Sequence, residues 1–322
     1  MRKKRATLIT NENLTEAILR QLQCFTINVH NPNKPMKDVK ELLQLLQLER
    51  IEENIFRGES SDIGSKRVFG GQVLAQALHA AMQTTPDDRH LHSLHSYFIL
   101  PGDLEIPIIF EVERIRDGGS FSNRRVKAIQ KGRPIFFLAA SFQIREDGFD
   151  HQINMPNVTP PDQLVSWQEL VARYGDQLPE NMKKFLNLDR PIEFRPVELI
   201  NPALPGKSRP YRHVWFRSKG KMPDDLKLHQ SVLAYTSDYN LLTTALLPHG
   251  NTEGFKNLQM ASLDHAMWFH RACRVDDWLL YAIDSPSASH ARGFTRGNIF
   301  TKEGKLIASV VQEGLVRMRK NQ

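Results

Sequence analysis

The segment HQSVLAYTSDYNLLTTALLPHG, from His229 to Gly250, sets a carboxylate among apolar side chains. At helical spacing Asp238 shares a face with Ala234 and Tyr235 before it and with Leu241 and Leu242 after it. A carboxylate withdrawn from water is costly or takes up a proton unless something compensates it. Three readings follow. The helix breaks at the polar cluster Thr236-Ser237-Asp238-Tyr239-Asn240, or Asp238 caps a second helix, or the carboxylate belongs to a site where partial burial makes it a general base.

Other groups that could do chemistry fail on spacing. Pro205-Gly206-Lys207-Ser208 has the end of a phosphate-binding loop, but Asn201 stands where the leading glycine belongs and Pro210 interrupts the helix that should follow. Gly118-Gly119-Ser120-Phe121-Ser122 lacks the closing glycine of a nucleophile elbow. His265 and His270 flank Met267-Trp268-Phe269 with no carboxylate at ligand spacing, so they read as packed or hydrogen-bonded core histidines and not as a metal pair. His79, His90, His92 and His95 straddle a loop at Pro86-Asp87-Asp88 and make no clear constellation. The two cysteines, Cys24 and Cys273, offer neither a disulfide framework nor a metal spacing.

The 322 residues are enough for one large domain or two smaller ones. A hydrophobic content of 40% with 25% charged residues is that of a globular protein, and no apolar run approaches the roughly 18 residues that cross a bilayer. The start, MRKKRATLITNENL, has basic residues but no apolar stretch behind them, so it does not read as a secretory signal. A net charge of +7 favours a polyanionic partner, either nucleic acid or a phosphate-bearing cofactor ester. The densest basic run, Arg124 to Arg133, alternates like a strand and lacks interleaved aromatics, which argues against nucleic acid.

The elements that must position Asp238 come in two sets. Residues 1–35 are a polar extension, expected to be flexible, and Met36 is a candidate start. After it MKDVKELLQLLQLERIEENIF reads as amphipathic, and VFGGQVLAQALHAAMQTTP as a small-residue helix opened by Gly70-Gly71. Four alternating strands complete a first unit over 36–146. A proline-rich linker with one helix near DQLVSWQELVARYG spans 147–210. A second unit over 211–322 repeats the order of strand, helix and strands. Three matches recur in sequence: Val73-Leu74-Ala75 with Val232-Leu233-Ala234, the SxSxxR of Ser120 to Arg125 with that of Ser287 to Arg292, and Ala140-Ser141-Phe142-Gln143 with Ala308 to Gln312, slipped by one residue. The helix match makes His79 the counterpart of Asp238. This is an α+β chain of two copies of a helix wrapped by an antiparallel sheet.

The stretches RVFGGQVLAQAL, HSYFILPGD, RDGGSFSNRRVKAIQKGRPIF, MPDDLKLHQSVLAYTSD, LDHAMWFHR, SASHARGFTRG and ASVVQEG closely resemble the acyl-CoA thioesterase II family, in order from about Met36 to Arg317. The resemblance implies a double hotdog fold. It also implies hydrolysis of fatty acyl-CoA thioesters to free acid and CoA, with no metal, no cofactor and no covalent intermediate. It places the catalytic aspartate on Asp238, the hydroxyl on Ser262 and the glutamine on Gln312, and serine keeps the hydroxyl where bacterial members often carry threonine. Taken alone, Ser262 reads as a turn or strand-start residue and Gln312 as an exposed strand residue. Gly70 and Gly71 either admit a ligand close to the backbone or form a tight loop. Arg125 and Arg292 either meet CoA phosphates or brace the two units.

The expected partner is therefore acyl-CoA, not nucleic acid, in a chain without an integral membrane segment. The ending RMRKNQ is not a peroxisomal tripeptide, which points to the cytoplasm, and sheet pairing of hotdog units points to a homodimer or homotetramer. Two competing functions remain: a hotdog hydratase, in which His79 would need a carboxylate across the repeat, and a non-catalytic acyl-CoA binder.

Overall fold

Asp38 opens a helix by accepting from the backbone N–H groups of Lys40 and Glu41, and helices separated by runs of strands follow it. The computed structural model describes residues 36–65, 67–178, 180–198, 207–250 and 258–319. The expectation for residues 1–35 lies outside these.

Helix α1 (Val39–Leu46) buries Val39, Leu42, Leu45 and Leu46. The segment beyond it does not continue as the amphipathic element expected. The chain leaves helix at Gln47 and runs into a hairpin of β1 (Glu49–Glu52) and β2 (Ile55–Gly58), whose Phe56 is buried across from Phe110. Pairing with the sheet overrides the local helical pattern. Helix α2 (Gly70–Gln83) is followed by β3 (His90–Phe98), β4 (Ile108–Asp117), β5 (Phe121–Gln130) and β6 (Arg133–Gln143), close to the predicted bounds. The predicted turn at Lys131-Gly132 is present, with both residues at positive φ.

The proline-rich segment holds more structure than the one helix expected. It carries α3 (Trp167–Tyr174), α4 (Glu180–Asn187) and an edge strand β7 (Ile192–Pro196). The α3 helix begins with a capping box between Ser166 and Glu169. The second set follows: β8 (Tyr211–Ser218), α5 (Leu226–Ser237), β9 (Leu258–Ser262), β10 (Asp264–Phe269), β11 (Leu279–Ser289), β12 (Arg292–Thr301) and β13 (Leu306–Met318).

All strands join one antiparallel sheet in the order β1-β2-β4-β5-β6-β3-β10-β13-β12-β11-β8-β7, with β9 beside β13. The two halves meet where β3 pairs with β10, Ser96 opposite His265. Helices α2 and α5 pack on each other inside this sheet. The α2 helix is mostly small and apolar because it is surrounded: Leu74, Ala75, Ala77, Leu78, Ala80 and Ala81 are fully buried, and the buried amides of Gln72 and Gln76 are hydrogen-bonded. At the crossing a Cβ on Gly71 would stand 2.4 Å from the Tyr235 carbonyl oxygen, so only glycine lets the two backbones approach. Each half is a helix wrapped by antiparallel strands, and the whole is an α+β double hotdog.

Strand pairing corrects the register of the repeat. Arg125 lies opposite Glu113 in the first half, and Arg296 lies opposite Asp284 in the second, each as an ion pair. Arg125 therefore corresponds to Arg296 and not to Arg292. Carried across the next pair of strands, Arg124 opposite Ala140 answers to Thr295 opposite Gln312. The counterpart of Gln312 is Ala140, not Gln143. The shared SxSxxR and Ala-Ser strings are similar in letters but sit at different rungs of the ladder.

Candidate active site

Asp238 stands where α5 stops. Thr236 Oγ1 donates to the Val232 carbonyl at 2.8 Å and Ser237 Oγ to the Ala234 carbonyl at 2.8 Å, and such hydroxyls compete with helix continuation. Asn240 then takes a left-handed conformation (φ 66°). The Tyr281 hydroxyl donates to the Ser237 carbonyl at 3.0 Å, taking one of the oxygens that a helix end leaves unpaired. Of the three readings, the helix does break at the polar cluster, the 3-10 helix that follows (Leu242–His249) has no side-chain cap, and Asp238 as C-cap turns its carboxylate toward other elements.

Three of those elements close on it. Gln312 points inward from β13, fully buried, and its Nε2 donates to Asp238 Oδ1 at 2.7 Å. The same nitrogen lies 3.1 Å from Ser262 Oγ, at the end of β9. Ser262 also hydrogen-bonds the carboxylate, and so does the backbone N–H of Gly71 at the start of α2. No side chain caps α2, so the Asp238 carboxylate acts as its cap from the neighbouring helix. A Cβ on Gly70 would stand 2.8 Å from Asp238 Oδ2 and 2.9 Å from the Phe98 ring. Gly70 and Gly71 thus admit the carboxylate to the helix start.

Burial raises the Asp238 pKa above its usual 3.8, against the hydrogen bonds from Gln312, Gly71 and Ser262, which favour the charged form. Its own helix C-terminus adds a negative field in the same direction as burial. The residue as a whole is intermediate in exposure, at the edge of the core and not in its middle. Of the first-turn amides of α2, Gln72 and Val73 are bonded to Phe69 O, and the Gly71 amide is committed to the carboxylate.

Comparison with known proteins decides the family. Residues 182–315 match the acyl-CoA thioesterase family and residues 56–143 match its N-terminal domain family. Acyl-CoA thioesterase 2 of Haemophilus influenzae is 45% identical, over 84% of this chain and 94% of its own. The chain belongs to the acyl-CoA thioesterase family. Human acyl-coenzyme A thioesterase 8 is 40% identical over 84% of this chain and 87% of its own. The acyl-CoA thioesterase II structure from Mycobacterium marinum superposes with a TM-score of 0.71 at 43% identity, covering 86% of this chain and 98% of that one.

The remaining candidates lie apart from the cluster. Arg125 forms an exposed ion pair with Glu113, and Arg292 one with Glu313 at 2.9 Å. Each pair stays within its own half, so neither arginine joins the two units. The counterparts of the cluster in the first half are apolar or unlike it. Ala140 answers to Gln312. Leu91, opposite Phe142, answers to Ser262, opposite Gly314. At the helix, His79 has a buried Nδ1 with no hydrogen-bond partner among the described residues, so that nitrogen lacks the carboxylate the hydratase reading requires.

Sequence reasoning missed one member of the cluster. His265, set aside as a core histidine, is fully buried, with Nδ1 3.3 Å from Gln312 Nε2 and Nε2 3.0 Å from Ser237 Oγ. The available signal was period two: His265 shares the inward face of its strand with Met267 and Phe269 and breaks their apolar run.

Proposed function

We propose that this chain hydrolyses fatty acyl-CoA thioesters to free acid and CoA through a water deprotonated by Asp238, without a covalent acyl-enzyme. The observation that carries the reading is the convergence of Asp238, Ser262 and Gln312 from three elements distant in sequence, on a carboxylate whose pKa burial raises.

A base is most useful when its pKa lies near the working pH, and burial moves Asp238 in that direction. Asp238 takes a proton from the water as the oxygen adds to the thioester carbonyl carbon. Ser262 and Gln312 supply hydrogen bonds that hold the carboxylate and the water in line. The tetrahedral intermediate collapses with cleavage of the C–S bond. A thiol with a pKa of about 8.5 leaves readily as thiolate, so no strong acid is required, and the proton held by Asp238 is returned to solvent or to the thiolate. Ser262 as a nucleophile is disfavoured, because no histidine lies within hydrogen-bond reach of its hydroxyl among the described residues.

Release of free thiol from palmitoyl-CoA by the purified chain, wild type beside Asp238→Asn, tests the mechanism. Thiol release that disappears in the variant supports it, and equal rates in both sink it. Binding of palmitoyl-CoA without thiol release at any chain length would point instead to a non-catalytic binder. A cytoplasmic location and assembly as a homodimer or homotetramer belong to the same proposal through the family resemblance. Cell fractionation and sedimentation of the purified chain check them.

A further inference from the structure

We propose that His265 is a positioning residue: paired with Ser237, it sets the direction of the Gln312 amide so that the NH2 group, not the oxygen, faces Asp238. This rests on the thioesterase reading above and adds to it.

Ser237 Oγ gives its own proton to the Ala234 carbonyl at 2.8 Å, so toward His265 it can only accept. The 3.0 Å contact with His265 Nε2 is then an Nε2–H donation, which leaves Nδ1 without a proton. A bare Nδ1 3.3 Å from Gln312 can be satisfied only by the amide NH2. The strand that carries His265 is itself held from the first half, where Ser96 Oγ donates to the His265 carbonyl at 2.8 Å. Burial holds the imidazole neutral, its pKa pushed down to about 3, so the tautomer is not lost by protonation near neutrality.

The reason for such a device lies in the catalytic cycle. While Asp238 is ionised it prefers the NH2 group unaided. Once it holds the proton taken from water, the carboxylic acid can donate, and the amide oxygen becomes an acceptable partner. The Gln312 oxygen has no partner among the described residues, so nothing on that side resists a flip. His265 resists it in both protonation states, because the reversed amide would set oxygen against the Nδ1 lone pair.

The test is the kcat and KM of palmitoyl-CoA thiol release in a set of variants. His265→Leu is expected to lower kcat about 10- to 100-fold with KM within about twofold. His265→Asn, whose side-chain oxygen stands near the Nδ1 position as an acceptor, is expected to recover most of that loss. In a Gln312→Ala background His265→Leu is expected to cost less than about twofold, because its effect passes through the glutamine. A loss repeated in full in that background, or Asn no better than Leu, overturns the proposal. Should His265→Leu fail to fold, Ser237→Ala reads the same relay, and a wild-type kcat there overturns it. Asp238→Asn run in parallel separates the two ideas. If it silences the enzyme while the His265 and Ser237 variants keep full kcat, only the relay falls. If it is fully active, both fall.

Discussion

The two halves of the sheet share a pairing pattern, yet one half converges polar groups where the other packs carbon. In the second half Asp238, Ser262, Gln312 and His265 form a buried hydrogen-bonded cluster. At the same rungs the first half has Leu91 and Ala140, and its helix runs on past His79 to Gln83 where α5 stops before Asp238. The difference follows from the cost of burying polar groups. A buried polar group is costly without partners, and at these two rungs the first half carries side chains that need none. The first half therefore supplies scaffold: the glycine start of α2 for the carboxylate, and Ser96 for the strand of His265.

The comparison breaks first at Asp238. Asp238→Asn is expected to lower thiol release about 1,000-fold, within the usual range for a lost general base, measured under saturating palmitoyl-CoA. Gln312→Ala gives the second half the alanine that stands at the same rung of the first. A fall of about 100-fold in kcat is expected there, with the far-ultraviolet spectrum unchanged. Gly70→Ala drives a methyl against the carboxylate at 2.8 Å. It should cost about 10-fold in kcat and about 1–3 kcal/mol of stability, read by thiol release and by denaturant unfolding.

The pH dependence carries a sign that separates base from bystander. Because the folded pKa of Asp238 is raised above 3.8, thiol release should fall on acidification through an inflection above that value. The same shift means that ionised Asp238 destabilises the fold. The protonated form is accommodated below the unfolded pKa, and this stability is lost as pH rises through the folded pKa. Asp238→Asn should therefore melt higher than wild type at neutral pH, with the gap closing toward acid. A gap that widens on acidification would contradict the burial argument. The smallest effect is expected in the first half. His79→Asp sets a carboxylate at the helix counterpart of Asp238, but the counterparts of Ser262 and Gln312 are Leu91 and Ala140, which offer no side-chain hydrogen bond, so thiol release should stay within about twofold of wild type. A gain of turnover in the Asp238→Asn background would show a second working site.

Legibility in the sequence followed the range of the interactions. Strands β3 to β6 were readable because inward and outward positions alternate along one segment. The β1–β2 hairpin was not, since its leucine-rich lead-in has helical spacing and only pairing of β2 with β4 decides otherwise. Asp238 was visible as a polar residue on an apolar face. Its partners Ser262 and Gln312 stand out only through family motifs and not through spacing, and His265 reads as a core residue because burial alone looks the same with or without a polar partner.

The duplication, the helix-and-sheet order and the unusual place of Asp238 are properties of the chain read in line, since they depend on local periodicity and on the composition of one segment. The rung on which Gln312 sits, the use of Gly70 and Gly71 to admit the carboxylate, and the tautomer of His265 depend on contacts between residues far apart in sequence. Register slips by one residue cost nothing in the letters and reverse every side chain in space, so only the paired sheet could decide them.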